Sequence, residues 1–539
     1  MLSQNHHGKA EGTAVLNAKG NRYNFMVVFF AALGSFTYGF NSAIVGTVFG
    51  LPSFFDYFDI SLDGPHATRG NQYIGAANGL YAGGGLIGSL CLHWSINKFG
   101  RRPTIQVLCV VAIISAILQG AAVHIAMFLV GRFLNGLGVG AIDVAVPLYQ
   151  SELSPAKQRG RMVGSHGFLV VCGYAGAGWT GLWCYFVKNP SVQWRLCLCL
   201  QVVAPAILLL GSPWLPESPR WLISQGRNTE ALEILKRLHT GGAAHTDMAA
   251  REEFYQISKQ IELESSIGNT SLWGLMLKPS YRKRVLCGMF VQFLAQSTGV
   301  LVVNNYLILL LNNLNLTGWT PLLLYAVYDT WAAFMNFINS LLLDKLGRIR
   351  IITVGLIGCG VMMIIETAMV ANFAGSSNRA GNAMGVLFLY LFVTFYGGSL
   401  DAGSYVYCAE IFPTSIRAQG LGLSVASLFA STLLYTEVAP TAFQKIGWKY
   451  YLVFIIVPLV GVPFLAYYLP ETKNLTLEEI AAKFGDEVAV DISHLSEEQR
   501  RALDDRLAAA EDGLGSTTME PGVGSEDQKV AISHSEKKN

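Results

Sequence analysis

Five carboxylates lie inside long apolar stretches of this 539-residue chain. On membrane-insertion scales, one charged side chain at the centre of a bilayer costs roughly 2.5–3.5 kcal/mol, so each of these residues needs a functional or structural reason. Such a residue can bind a solute, bind a proton or satisfy another polar group. The five are Asp143, Asp329, Glu366, Asp401 and Glu437.

Two of these acids begin the two copies of an internal repeat. Asp143 starts the stretch DVAVPLYQSELSPAKQRG, and Asp401 starts the stretch DAGSYVYCAEIFPTSIRAQG. Each copy begins in an apolar run and ends in a basic segment, which predicts a membrane protein with two similar halves. Counted from each aspartate, the matched positions are Tyr149 and Tyr407, Glu152 and Glu410, Pro155 and Pro413, and Arg159 and Arg417.

The composition also indicates a membrane protein. The chain is 52% hydrophobic and only 14% charged, which is too apolar for a soluble protein of this size. A net charge of +2 gives no indication of a nucleic-acid partner. The nine cysteines lie in apolar runs without the spacing of a metal site. No nucleophile or cofactor motif is present, so we predict neither an enzyme nor a bound cofactor or metal.

Apolar runs of about 20 residues predict twelve transmembrane helices, six before and six after a charged segment. The predicted class is an all-α membrane protein with two pseudo-symmetric six-helix bundles. The predicted regions are a tail at 1–23, a bundle at 24–215, a helical linker at 216–283, a bundle at 284–469 and a partly disordered tail at 470–539. The helices are predicted near 24–50, 72–93, 103–125, 127–150, 162–187, 195–215, 284–311, 318–342, 350–373, 383–408, 416–440 and 448–469.

The positions of Lys and Arg predict the orientation. Ten of these residues lie in the short loops after predicted helices 2, 4, 8 and 10, and five lie in the opposite loops. The positive-inside rule therefore places both termini and the linker in the cytoplasm. Asn315, in the sequon Asn315-Leu-Thr317, is then the candidate for outward-facing glycosylation.

Several short motifs point to one family. They are GRR at 100–102, GR at 131–132, VPLY at 146–149, SELSP at 151–155, RG at 159–160, PESPRWL at 216–222, AEIFPT at 409–414 and PETK at 470–473. Over about residues 24–484 the chain resembles the sugar porters of the major facilitator superfamily, most of all the fungal members. The resemblance implies the twelve-helix fold of that superfamily. It also implies transport of a sugar or similar polyhydroxylated solute by alternating access, by a monomer in the plasma membrane.

The resemblance implies a gating role for charged residues at the cytoplasmic helix ends. In the family, arginines at helix ends pair with glutamates of neighbouring helices and close the inside gate when the carrier faces outward. The alternative is that they only anchor the topology. A glutamate followed seven places later by an arginine recurs in both halves, which favours gating. The sequence Arg348-Ile349-Arg350 lacks the usual double arginine and predicts a weaker second lattice. The gating candidates are Arg101, Arg102, Glu152, Arg159, Glu217, Arg348, Glu410, Arg417 and Glu471.

The chain departs from the family at several sugar-contact positions. Asn41 stands where proton-coupled relatives carry an aspartate, Gly167 replaces a sugar-binding glutamine, and Leu301 replaces an asparagine. Buried solute hydroxyls must regain hydrogen bonds, so amides, carboxylates and aromatic groups remain candidates. The substrate-binding candidates are Asn41, Asp143, His166, Gln296, Asn304, Asn305, Tyr306, Asp401 and Tyr405.

Asp143 and Asp401 are also the proton-coupling candidates. Asp143 and Glu152 are nine residues apart and point to opposite helix faces, so Asp143 faces the cavity if Glu152 belongs to the gate. The repeat gives Asp401 the same geometry. We hypothesise that the two aspartates approach each other between the halves and bind solute hydroxyls, a proton, or both. The alternative is that each only helps helices pack, which is also our interpretation of Glu366 and Glu437. The role of Asp329 is left open.

The sequence leaves more than one function open. The chain can be a sugar carrier, either a facilitator or a proton symporter, or it can carry another solute such as an organic acid or an exported metabolite. A nutrient sensor ranks low, because sensors on this scaffold have long cytoplasmic tails and only about seventy residues follow the last helix.

Overall fold

The structure, a computed structural model, describes residues 22–61, 67–154, 159–239, 245–267, 272–313, 318–373, 378–413, 416–473, 475, 480 and 483–485. Within these ranges every regular element is helical, in agreement with the predicted all-α class. The described residues belong to one compact unit. The glycosylation candidate Asn315 and most of the predicted C-terminal tail lie outside them.

Twelve long helical segments, α1 to α12, confirm the predicted membrane helices. In the first half they are α1 (Arg22–Ala31, continued by Leu33–Val48), α2 (Ala67–Phe99), α3 (Arg101–Gly120), α4 (Ile125–Leu153), α5 (Arg159–Tyr185) and α6 (Pro190–Cys199, continued by Val203–Gly211). In the second half they are α7 (Pro279–Ser297, continued by Val300–Asn313), α8 (Thr320–Leu346), α9 (Arg348–Phe373), α10 (Arg379–Phe395, continued by Asp401–Ile411), α11 (Arg417–Ile446) and α12 (Tyr451–Tyr468).

The membrane helices differ in how apolar they are. Nine stretches of the described chain are long and apolar enough to cross a membrane, and one of them, Arg417–Tyr468, contains both α11 and α12. Helices α2 and α8 have the necessary length, but α2 carries many glycine and polar residues and α8 carries two aspartates, two asparagines and a lysine. Both also extend past their predicted ends, to Phe99 and Leu346, because a run of apolar residues ends before the hydrogen-bonded helix does.

Four short helices form the predicted linker. They span Pro219–Ser224, Asn228–His239, His245–Ile267 and Leu272–Leu277. Buried apolar side chains, among them Leu222, Leu235 and Ile257, form a small core between them. We call the face of the membrane bundle that carries this linker the linker side. The opposite face, the far side, carries the short helix Pro52–Phe58.

Glycines allow neighbouring helices to cross in close contact. A Cβ atom at Gly84 of α2 would lie 2.2 Å from the Phe133 carbonyl oxygen of α4. A Cβ atom at Gly39 of α1 would lie 1.8 Å from the Val170 carbonyl oxygen of α5. The two halves meet in the same way, since a Cβ atom at Gly422 of α11 would lie 2.8 Å from a main-chain oxygen of α2. These crossings set the positions of the polar residues described below.

The neighbouring glycines Gly83 and Gly84 provide a test of this packing. We expect Gly84→Ala to destabilise the fold by about 1–3 kcal/mol, because the added methyl group meets rigid backbone of α4. Gly83→Ala is the matched control, since nothing lies within 4 Å of its added Cβ atom. The melting temperatures of the two purified variants in detergent are the measurement. Equal melting temperatures would contradict the assigned α2–α4 crossing.

Candidate functional site

A buried ion pair joins α3 to α4 at the linker side. Arg101 Nε and Nη2 donate to the two carboxylate oxygens of Glu152 at 2.8 and 2.7 Å. Glu217, which follows α6, accepts from the backbone N–H groups of Arg101 and Arg102 at 2.9 and 3.2 Å. This carboxylate therefore caps the positive end of α3. We call Arg101, Glu152 and Glu217 the first clasp.

The second half repeats this arrangement atom for atom. Arg348 Nε and Nη2 donate to the Glu410 carboxylate at 3.1 and 2.9 Å. Glu471 accepts from the backbone N–H groups of Arg348 and Ile349 at 2.9 and 3.1 Å. We call Arg348, Glu410 and Glu471 the second clasp. Ile349 makes its contact through the backbone, so the missing second arginine removes no hydrogen bond there.

One glycine before each arginine makes the clasps possible. Gly100 and Gly347 have φ angles of +96° and +97°, which L-residues rarely adopt. A Cβ atom at either position would also lie within 2.7 or 2.8 Å of the capping carboxylate, Glu217 or Glu471. Burial raises the pKa of Glu217, and the N–H groups that it accepts only partly oppose this shift.

The clasps lie within the halves, and other residues connect the two halves. Glu152 of the first clasp lies in electrostatic range of Arg417 at the start of α11. Arg417 Nε also donates to the Phe412 carbonyl oxygen at 3.1 Å. The side chain of Arg159, another gating candidate, lies outside the described part of the structure.

A small cavity of ≈ 40 Å³ lies between the halves. Ligand pockets usually measure about 300–1,000 Å³. The cavity therefore offers less space than a sugar needs. Its polar and aromatic lining comes from α1 and α5 of the first half and from α7, α8 and α10 of the second: Tyr38, Tyr174, Gln296, Asn304, Tyr328, Asp329, Tyr396, Asp401 and Tyr405.

The halves are in contact on both sides of this cavity. On the linker side, a Cβ atom at Gly167 of α5 would lie 3.0 Å from the Ala402 Cα atom of α10. On the far side, Trp179 of α5 donates to Thr330 of α8 at 3.0 Å. Between these two points α5 lines the cavity with Tyr174. These two contacts lie on either side of the part of α5 that lines the cavity.

Two helix irregularities bring polar groups to the cavity. Helix α7 is interrupted at Gly299, whose φ angle is +83°, between the lining residues Gln296 and Asn304. Helix α10 contains a π-helical turn, Tyr396–Leu400, directly before Asp401. Interruptions of this kind are frequent at functional sites.

Asp143 and Asp401 have different partners. Asp143 accepts from the Tyr405 hydroxyl at 2.8 Å and lies 3.3 Å from His166 Nε2. Asp401 accepts a short hydrogen bond from the amide of Asn336 on α8. Asp143 of the first half therefore contacts Tyr405 of the second half. Tyr405 lies one helical turn beyond Asp401 on α10. The cavity is lined by Asp401 and Tyr405.

Asp329, left open by the sequence, lies in the cavity wall. Its carboxylate accepts from Asn304 at 2.8 Å, and Asn304 in turn accepts from the Tyr325 hydroxyl at 3.0 Å. Four tyrosines of the lining are also absent from the sequence-based candidates: Tyr38, Tyr174, Tyr328 and Tyr396. The signal for Asp329 was its position in an apolar run, but an aromatic residue in a membrane helix gives no comparable signal.

Three other candidates lie outside the cavity lining. Asn41 accepts from Asn135 of α4 at 2.8 Å, which places its amide inside the first half. Tyr306 donates to the Thr436 carbonyl oxygen at 2.8 Å and accepts from Asn78 at 3.1 Å, a contact between the halves. The backbone of Asn305 lies against Gly46 of α1. These positions suit contacts between helices.

The family comparison agrees with this geometry. The family described as "Sugar (and other) transporter" matches residues 27–484 of the chain. The protein belongs to this family. Relatives of this chain are named as carriers of a sugar or of another compound.

Three fungal relatives are similar to this transporter over most of their length. The MFS-type transporter criB of Aspergillus cristatus is 30% identical over 89% of this chain and 97% of its own. The high-affinity glucose transporter of Kluyveromyces lactis is 29% identical over 86% of each chain. The quinate permease of Neurospora terricola is 28% identical over 86% of this chain and 89% of its own.

The fold is also that of a solved transporter. The proton:xylose symporter XylE of E. coli, bound to 6-bromo-6-deoxy-D-glucose, superposes with a TM-score of 0.75. The superposition covers 86% of this chain and 99% of XylE at 21% sequence identity. It shows the twelve-helix fold of the major facilitator superfamily.

We expect the two clasps to contribute similarly to stability. Glu152→Ala and Glu410→Ala each leave a buried arginine without its carboxylate, which should cost about 3–5 kcal/mol. Glu233→Ala on the exposed face of the linker is the control and should change stability by less than about 0.5 kcal/mol. Chemical unfolding of the purified variants measures this. A clasp variant as stable as the Glu233 control would contradict the assigned ion pair.

Proposed function

We propose that the protein carries a sugar or a related polyhydroxylated solute across a membrane by alternating access. The observation that carries this proposal is the polar cavity between two pseudo-symmetric halves. Each hydroxyl of a solute that leaves water must regain its hydrogen bonds. Here the carboxylates of Asp329 and Asp401, the amides of Gln296 and Asn304 and the hydroxyl of Tyr405 are the available partners.

The relatives' names support this solute class. One relative is a glucose transporter and another is a quinate permease. Both named compounds are rings that carry several hydroxyl groups. The second name also supports our second candidate function, a carrier for an organic acid or an exported metabolite, because quinate is an acid. The loss of two sugar-contact side chains at Gly167 and Leu301 is compatible with either solute.

In this proposal the clasps make each half move as a rigid body. The first clasp fixes the linker-side ends of α3, α4 and the segment that follows α6. The second clasp does the same for α9, α10 and the segment that follows α12. Closure on the linker side then comes from the α5–α10 and α2–α11 crossings and from Arg417 near Glu152. We place the linker side in the cytoplasm and the protein, as a monomer, in the plasma membrane. A nutrient sensor would bind the same solute without flux, so transport measurements separate the two functions.

The test is uptake of radiolabelled hexose, pentose, disaccharide and quinate in yeast that lacks its own carriers. We expect saturable uptake of at least one solute and a decrease of at least tenfold in Asp401→Asn, which removes a charged acceptor from the cavity wall. Glu366→Gln is the matched control, because this acid is buried between α9 and α10 beside Gly385, away from the cavity lining. A correctly localised protein that transports none of the four solutes would contradict the proposal.

A further inference from the structure

Two fully buried titratable residues near the cavity form one unit. Asp143 and His166 have side chains that are 0% exposed, and Asp143 Oδ1 faces His166 Nε2 at 3.3 Å. The other ring nitrogen, Nδ1, lies 2.8 Å from the Ser35 hydroxyl of α1. Tyr405 of the opposite half donates to Asp143 and packs on the imidazole, with ring centroids 4.8 Å apart. The unit therefore joins α1, α4 and α5 to α10.

We propose that Asp143 and His166 form a single proton-binding pair that couples solute movement to a proton. The inference rests on the proposed carrier function and assigns its driving ion. It gives Asp401 a separate role in the cavity wall, so the two repeated aspartates are not equivalent. Proton binding at this pair has no counterpart in the second half, where the residue matching Asp143 contacts an asparagine.

The helix packing explains why His166 reaches Asp143. Gly39 brings the backbones of α1 and α5 together, which places Ser35 beside the imidazole. The neighbouring Gly167 brings α5 against Ala402 of α10, which places Tyr405 on the other side of the ring. A side chain larger than glycine at Gly39 or Gly167 would separate these contacts.

The hydrogen-bond partners fit both charge states of the pair. When the pair holds the extra proton, the positive imidazolium lies with Nε2 3.3 Å from the Asp143 carboxylate, and its Nδ1 can donate to Ser35. When the proton leaves, the neutral imidazole can keep its hydrogen on Nε2 while its Nδ1 accepts from Ser35. A hydroxyl both donates and accepts, so Ser35 serves either state without a side-chain rearrangement. Histidine is the side chain that most often exchanges a proton near neutral pH.

The proton balance is simple. One proton binds to the pair while it is open to one side and leaves to the other side after the halves have moved. No covalent bond forms and nothing is oxidised or reduced. The pair is neutral overall with the proton and carries one negative charge without it. A buried negative charge is costly in a low-dielectric interior, which favours movement of the loaded form.

Other polar and titratable groups lie on the helices that pack around the pair. Asn41 of α1 cannot bind a proton under these conditions. Arg132 of α4 donates to the main-chain oxygens of Asn41 and Ala77, and its guanidinium lies 4.2 Å from the Tyr81 ring centroid. The titratable groups in electrostatic range of Asp143 are Tyr38 on α1, Tyr81 on α2, Tyr174 on α5, and Tyr405 and Asp401 on α10.

Tyr405 connects the pair to the solute. Its side chain lines the cavity, and its hydroxyl donates to Asp143. A hydrogen bond to a charged carboxylate is stronger than one to a neutral pair. Loss of the proton thus strengthens a bond between the halves, and a solute hydroxyl at Tyr405 competes for the same group. Tyr405 acts here as a positioning residue.

The test compares two activities of the full-length protein in proteoliposomes. Counterflow exchanges labelled for unlabelled solute without a proton gradient, and gradient-driven uptake adds an inward proton gradient. The solute is the best one from the uptake panel. We expect the gradient to raise the wild-type initial rate at least fivefold. In Asp143→Asn and His166→Gln, the ratio of gradient-driven uptake to counterflow should fall at least fivefold. The controls Glu366→Gln and His93→Gln should keep the wild-type ratio.

The outcomes separate the two proposals. No wild-type counterflow for any solute would overturn the carrier function itself. Wild-type counterflow without a gradient effect, or an unchanged ratio in both pair variants, would overturn the proton site and leave the carrier function standing. If a pair variant does not fold, Tyr405→Phe replaces it, because it removes only the hydroxyl. We expect Tyr405→Phe to shift the pH profile of uptake, and an unchanged profile would count against the proposal.

Discussion

Every charged group in a membrane helix must find a partner, because lipid provides none. This constraint explains the arrangement of the helices here better than apolar packing does. The apolar surface of a helix can face lipid in many orientations, but Glu152 and Glu410 have one arginine each that satisfies both carboxylate oxygens. Those two pairs fix where α3 and α4, and α9 and α10, end relative to each other.

The two halves satisfy the constraint identically at the linker side and differently at the centre. Both clasps contain the same ion pair and the same two capped backbone N–H groups. The helix ends of both halves therefore meet in the same way. At the centre, Asp143 faces a histidine of its own half and a tyrosine of the other, whereas Asp401 faces Asn336. A carrier needs two halves of similar structure so that the linker side and the far side can open in turn. It also needs one asymmetric site, since the solute is not symmetric.

The sequence predicted the repeated features and missed the individual partners in the centre. The offset repeat identified Glu152 and Glu410, and the resemblance to the sugar porters identified their partners Arg101 and Arg348. The spacing of Asp143 to Glu152 predicted that Asp143 faces the cavity, whereas the lining residue beside it is its partner Tyr405. Its contact with Tyr405 could not be predicted, because that depends on how far α4 and α10 are shifted along each other. The contacts of Asn41 and Asn305 could not be predicted for the same reason, since the residue type does not tell which neighbour lies at the same depth.

Paired spin-label distances measure whether the two halves move as rigid bodies in alternation. Labels at positions 98 and 345 report on the linker side, and labels at 124 and 378 report on the far side, with the exposed Cys91 and Cys199 replaced by serine. All four positions are exposed, and each pair occupies matching places in the two halves. On addition of a transported solute, we expect one distance to increase while the other decreases. A solute that binds while both distances stay unchanged, or both increase, would contradict the account.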